Sequence, residues 1–183
     1  MFNQSDDALI KKAIDGNRSA WLKLVRRYEK RVFSYALRMV SNTDDAQDLM
    51  QDTFLAVFRN LNSFRGDSAF KSWLLKIAHY RCIEFYRRRK NTVDIESVPE
   101  AFNEAGENCP ELSVVTQQQG SEVIRAMSQL PVNQRAVIEM KFFQYLTFDD
   151  IAQQLGISTS TVKSRLYAGL GKMKHVLEVA NAN

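Results

Sequence analysis

A chain of 183 residues with 45% apolar content suffices for one ordinary core or two small ones. Cys82 and Cys109 lack any CxxC or CxxH spacing, Ser5-Asp6-Asp7 follows no signal peptide, and no apolar run approaches the roughly 18 residues of a membrane span. These features exclude a secreted disulfide scaffold and an integral membrane protein, and predict a reduced, cytoplasmic protein with no direct membrane insertion.

The net charge of +4 is unevenly laid down. Residues 1–90 carry 18 Lys and Arg against 10 Asp and Glu, and residues 122–183 carry 7 against 5. The segment 91–121 between them has 6 acids and no base. Two basic blocks flank an acidic spacer, a pattern that favours a polyanionic partner when the cations gather on one helix.

In chain order, Leu9 and Ala13 predict a short helix that Ser5 can cap. Two long ones follow, on Trp21, Leu24, Tyr28, Val32, Tyr35 and Met39, then on Ala46, Leu49, Thr53, Val57 and Leu61. The polar stretch Ser41 to Asp45 is a natural turn, with Asp44 or Asp45 as the next cap. After Arg65-Gly66-Asp67, Ser68 is placed to cap a fourth helix with Phe70, Trp73, Leu74 and Ile77 as its inward stripe and Arg87 to Lys90 at its end.

Pro99, Gly106 and Pro110 punctuate residues 91–121, which read as a flexible acidic linker in which Leu112, Val114 and Val115 offer docking points. Beyond it Val123, Ile124, Met127 and Leu130 predict a helix, Pro131 a turn, and Val137 and Met140 another helix. No stretch alternates with period two. The predicted fold is all-α, with helical domains at 1–90 and 122–183.

The segment DIAQQLGISTSTVKSRLYAGLGK, residues 150–172, breaks at Gly156. Ile151, Ala152 and Leu155 share one face before the break; Val162, Leu166 and Leu170 resume after it. A glycine can take the left-handed conformation that reverses the chain, Ser158 can cap the next helix, and small Ala152 lets the two helices approach. The result is a helix-turn-helix. Its second helix offers Thr159, Ser160, Lys163, Ser164, Arg165 and Tyr167, with no acid between Ser158 and Lys174, and such a helix suits the major groove of DNA.

In AFKSWLLKIAHYRCIEFYRRRK, residues 69–90, aromatic residues interleave with cations, a composition that can stack unpaired bases and hold their backbone. This segment, with DAQDLMQDTFLAVFRNLNSFRGDS before it and LPVNQRAVIEMKFFQYLTFDDIAQQLG through MK after the spacer, closely resembles the bacterial sigma factors of the extracytoplasmic-function group. The resemblance covers roughly residues 8–90 and 122–175.

It implies partners and roles that spacing alone does not give. Asp48, Gln51 and Asp52 match the segment that grips the clamp helices of the RNA polymerase β′ subunit, and the β flap is a further expected contact. The loop 62–68 and the helix after it match the surface that recognises the −10 promoter element as single-stranded DNA, with Arg65, Lys71, Lys76, Tyr80 and Arg81 as candidates. The helix after Gly156 matches the reader of the duplex −35 element. There Ser160, Lys163 and Ser164 fall at base-facing positions and Arg165 and Tyr167 suit phosphates, while Ala168, Gly169 and Gly171 replace residues that are often basic. The resemblance also implies an anti-sigma factor, in many cases membrane-attached.

The competing readings are a stand-alone helix-turn-helix regulator and an enzyme. The first needs a dimer to read a two-fold site, and no extended heptad supplies one. Against the second, His79 and His175 lack Cys, Asp or Glu at ligand spacing, and there is no Gly-rich phosphate loop or nucleophile elbow. No catalytic residue, metal or cofactor is expected.

Overall fold

The computed structural model describes residues 4–92 and 114–181. Cys109, Leu112 and most of the acidic spacer lie outside the described residues. The chain folds as α1 (Asp6–Ile14), α2 (Arg18–Val40), α3 (Thr43–Asn60), α4 (Phe70–Thr92), α5 (Val114–Ser128), α6 (Val132–Ile138), α7 (Phe148–Leu155) and α8 (Thr159–Asn181). Leu61–Ser63 forms a 3-10 turn, and a π turn at Glu139–Phe143 extends α6. Among the described residues there is no strand, and the all-α expectation holds.

Helix α2 is the axis of the first domain. It buries Leu24, Val32, Tyr35 and Met39, and packs on α1, α3 and α4. Each such apolar side chain contributes about 2 kcal/mol by leaving water. Phe70 and Leu74 of α4 join this core, with Trp73 and Ile77 partly buried against it, as the stripe on α4 predicts. The second domain gathers Met127, Val137, Met140, Ile151, Val162 and Leu166 around a smaller core.

Local capping explains most boundaries. Ser5 accepts the amide of Ala8, as expected. Helix α3 is capped by Asn42, whose Oδ1 accepts the Asp45 amide at 3.0 Å, and not by Asp44 or Asp45. Those two acids sit in its first turn, where the positive end of the helix dipole favours them. Helix α4 starts one residue later than a Ser68 cap requires: the carbonyl of Ala69 accepts the amides of Ser72 and Trp73. Helix α5 begins at Val114, inside the stretch whose composition reads as linker.

The two domains meet where α5 and α6 pack on α2, and charged side chains bridge the junction. Val132 and Ala136 of α6 pack on the first core. Arg38 of α2 forms a two-pronged ion pair with Glu139, at 2.5 and 2.9 Å. Arg135 donates to the Met39 carbonyl and, at 2.8 Å, to the Tyr86 hydroxyl. Its other nitrogen binds the carbonyls of Ser128 and Leu130 in its own domain, at 2.9 and 3.0 Å.

Candidate nucleic-acid interface

The turn between α7 and α8 is built by residues whose chemistry is local. Thr147 and Asp150 form a reciprocal capping box that starts α7, and this pairing holds the Asp150 carboxyl below its ordinary range. Gly156 ends α7 at φ +65°, and the next amide, of Ile157, donates to the Ala152 carbonyl at 3.1 Å. Ser158 caps α8 by accepting the Thr161 amide at 3.1 Å. Val162 and Leu166 are buried and Ile157 is packed beside them, so the opposite face of α8 turns outward.

That face is less free than its composition suggests. The Thr159 hydroxyl donates to Asp149 at 3.0 Å, and Ser160 shares a hydrogen bond with Ser158 at 2.9 Å. Ser164 and Tyr167 are exposed. Lys163 lies over the Phe148 ring, 5.5 Å from its centroid, and Lys141 lies 4.6 Å from the same centroid. Among the described residues neither Lys163 nor Arg165 forms an ion pair.

On the first domain, Asp48, Gln51 and Asp52 line the exposed side of α3, while Leu49, Thr53 and Val57 turn inward. The same face continues into Leu55 and Phe58, both more than half exposed, with the Trp21 ring tilted against that of Phe58, centroids 5.1 Å apart. Sequence reasoning missed this apolar extension. Its signal was the spacing of seven and ten residues from Asp48, which keeps Leu55 and Phe58 on one helix face.

The five −10 candidates do not form one cluster. Arg65 is exposed in the loop, whose base is fixed by Phe64 against Phe70 and Trp73 at 5.5 and 5.3 Å, an aromatic anchor the sequence reading left out. Lys71 is half-buried in the first turn of α4. Lys76 and Tyr80 line an open cleft of about 400 Å³, and Arg165 of α8 lines it from the other domain. Arg81 pairs with Glu84 at 3.0 Å and faces a separate groove between α3 and α4 that also contains Asp52.

Three titratable groups beneath this surface are held by burial. The His79 imidazole is pushed down to about 4, and its Nδ1 lies 3.1 Å from the Tyr35 hydroxyl. The Cys82 thiol is 1% exposed and pushed up to about 12, which leaves it an inert core group. Glu139 is raised by burial in spite of its partner Arg38. Among the described residues no group of three His, Cys, Asp or Glu could hold a metal, and no helix is long and apolar enough to cross a membrane.

A helix-turn-helix that points hydroxyls and cations outward, joined to a helical domain with Lys76 and Tyr80 exposed on α4, defines a two-domain DNA-binding transcription protein. The Sigma-70 region 2 family matches residues 24–92, and the Sigma-70, region 4 family matches residues 121–173. The ECF RNA polymerase sigma factor SigM of Mycobacterium tuberculosis is 31% identical over 180 residues, which cover 97% of this chain and 87% of SigM. The ECF RNA polymerase sigma factor SigE of Mycolicibacterium smegmatis is 30% identical over 160 residues; the match covers 86% of this chain, which spans only 62% of SigE. Among solved structures, the sigma factor RpoE in complex with the anti-sigma factor NepR from Bartonella quintana shares the fold. Its TM-score is 0.64 at 24% identity, over 86% of this chain and 96% of RpoE. The chain belongs to the extracytoplasmic-function group of sigma-70 family RNA polymerase sigma factors.

Proposed function

We propose that this sigma factor binds core RNA polymerase, carries it to promoters through two separated elements, and assists strand opening. The observation that carries the reading is the pairing, in one chain and in family order, of an exposed polar-apolar face on α3 with an outward-facing helix-turn-helix. Asp48, Gln51 and Asp52, extended by Leu55 and Phe58, dock on the β′ clamp helices, and the second domain contacts the β flap. The domains ending with α4 and beginning with α5 act as the two reading domains, and the acidic stretch between these helices tethers them, its acids keeping the tether off DNA.

At the −10 element, Arg65, Lys71, Lys76 and Tyr80 receive the opened strand; unstacking costs a few kcal/mol per base, which stacking and cationic contacts offset. At the −35 element, Lys163 and Ser164 read base edges from the major groove while Arg165 and Tyr167 hold phosphates. The factor acts in the cytoplasm without chemistry of its own, and an anti-sigma factor holds it inactive. RpoE bound to NepR, a complex of like fold, supports that last partner.

Run-off transcription with purified core polymerase and a library of genomic promoter fragments tests this. Transcripts that require the protein, from starts sharing two spaced elements, are expected. A folded protein that shifts duplex DNA alone, with no core binding and no transcripts, would establish a stand-alone regulator instead.

A further inference from the structure

The cations of the first domain are not compensated alike. At the end of α4, Arg81, Arg87 and Arg88 pair with Glu84, and Arg89 pairs with Asp45. Helix α2 carries seven Lys and Arg and one acid, the half-buried Glu29. Lys23, Arg26, Arg27, Lys30 and Arg31 are all exposed, and at about 100° per residue they fall within an arc of about 140°. Arg27 is held by Asp6, the carboxylate that also accepts the Tyr28 hydroxyl. Lys23, Arg26 and Arg31 form no ion pair among the described residues.

Such a stripe is unfavourable by itself. Lys23 stands three and four residues from Arg26 and Arg27, Arg26 four from Lys30, and Arg27 four from Arg31; like charges at these spacings repel. A surface of one sign that the fold leaves uncompensated attracts an anion from outside.

The place of the stripe in the fold identifies that anion. The Tyr28 ring packs on Phe70 with centroids 5.5 Å apart, and Phe70 packs on Phe64 at 5.5 Å, at the base of the loop that carries Arg65. Two ring contacts therefore link the stripe to the loop assigned to the opened strand. Where the second domain meets α2, the cation engaged is Arg38, about two turns beyond Arg31. From Lys23 to Arg31 the helix rises about 12 Å at about 1.5 Å per residue, the reach of about three phosphate intervals at roughly 3.4 Å each.

We propose that Lys23, Arg26 and Arg31 of α2 form a third DNA contact, a track that holds the sugar-phosphate backbone of the opened strand beside the −10 loop. The proposal rests on the sigma-factor reading above. Phosphate contacts carry no sequence information, so the track supplies salt-dependent affinity and no discrimination between bases.

The test uses holoenzyme assembled from purified bacterial core polymerase and the full chain. Its probe is a labelled single-stranded oligonucleotide carrying the non-template −10 strand of a promoter found by run-off transcription. Lys23→Gln/Arg26→Gln/Arg31→Gln should bind the probe about a hundredfold more weakly at about 0.1 M salt. The slope of log affinity against log salt should fall by about 2, three contacts at about 0.7 each for a single strand. Core affinity and preference among −10 base substitutions should stay at the wild-type level. Lys172→Gln/Lys174→Gln, which removes two cations from α8, should leave the slope unchanged. Circular dichroism checks helix content, and if the triple variant misfolds, Lys23→Gln/Arg26→Gln is read in its place, with a slope change of about 1.4.

An unchanged slope in a folded variant overturns the track. So does an equal loss per charge from the α8 variant, which would make the effect one of net charge, and so does a loss of core affinity, which would turn the stripe toward polymerase. If the wild type still drives run-off transcription in these cases, only the track falls; a wild type that binds neither core nor probe removes the sigma-factor reading with it.

Discussion

Helices α4 and α8 are both 23 residues long and both carry the residues assigned to DNA, yet they are built in opposite ways. Helix α4 is embedded: Phe70, Leu74, Leu75, Ala78, His79 and Cys82 are all buried. Much of its basic end is neutralised by neighbours, since Arg81, Arg87 and Arg88 pair with Glu84 and Arg89 pairs with Asp45. Arg88 in particular holds the Glu84 carboxyl below its ordinary range. Helix α8 packs on its domain along one face, through Val162, Leu166, Gly169, Leu170 and Met173, and leaves Lys163, Ser164 and Tyr167 exposed. On α4 the residues assigned to DNA are interleaved with the buried ones; on α8 the two sets occupy separate faces.

The sharpest separation is expected at Leu74, which is 0% exposed. Leu74→Ala should lose about 4 kcal/mol in urea unfolding, the sum of a transfer and a cavity contribution. A loss below about 1 kcal/mol would show that α4 is not anchored as described. His79 gives the same contrast through pH. Burial holds its imidazole down to about 4 from the usual 6.5. The unfolded chain therefore binds a proton that the native one refuses, and stability falls as pH drops from 6.5 through 4, by about 3 kcal/mol in all. Thermal melts across that range should show the decline, and His79→Asn should flatten it; an equal decline in the variant would assign it to other groups.

Sequence reasoning worked where structure is local and failed where it is not. The Ser5 and Ser158 caps and the left-handed Gly156 depend on neighbours within a few residues, so their patterns are visible in the chain. Asn42 was passed over because the two aspartates after it are equally good capping residues, and their first-turn placement by the helix dipole looks the same in sequence. Arg135 and Glu139, four residues apart, read as an ordinary pair within one helix. In the fold each reaches into the other domain instead, and nothing in the local pattern marks Arg38 or Tyr86 as partners. The split of the −10 candidates has the same origin: Tyr80 and Arg81 are adjacent in sequence but lie on different sides of α4, one in the cleft and one toward α3.

Two glycines of α8 sharpen the comparison at lower energy. A Cβ on Gly169 would stand 2.8 Å from Ile138 Cδ1 and 3.3 Å from Gln134 Cβ, whereas one on Gly171 meets nothing within 4 Å. The tip of Ile138 can turn aside, but Gln134 Cβ moves only with α6. Gly169→Val should cost about 2 kcal/mol through overpacking, while Gly171→Ala should stabilise by about 0.8 kcal/mol through helix propensity alone. This also explains why Gly169 carries no basic side chain: the position belongs to the α6 contact. Equal costs at the two sites would mean that Gly169 is not held against α6 as described.

The smallest expected effect on stability carries the most functional information. Lys163→Ala and Arg165→Ala remove cations that form no ion pair among the described residues, so both should leave the unfolding midpoint within about 0.5 kcal/mol of wild type. Their effects on promoter duplex should differ in kind. Lys163, perched over Phe148 and pointing outward, is assigned to a base edge, and its loss should relax discrimination at one base pair by about 1–2 kcal/mol. Arg165, assigned to phosphate, should weaken all sequences alike and lower the salt slope by about 1. A uniform loss from both would reduce α8 to backbone contacts and move sequence reading to Ser164 or to the groove shape of the −35 duplex. A loss of stability from either would abolish the separation of faces that sets α8 apart from α4.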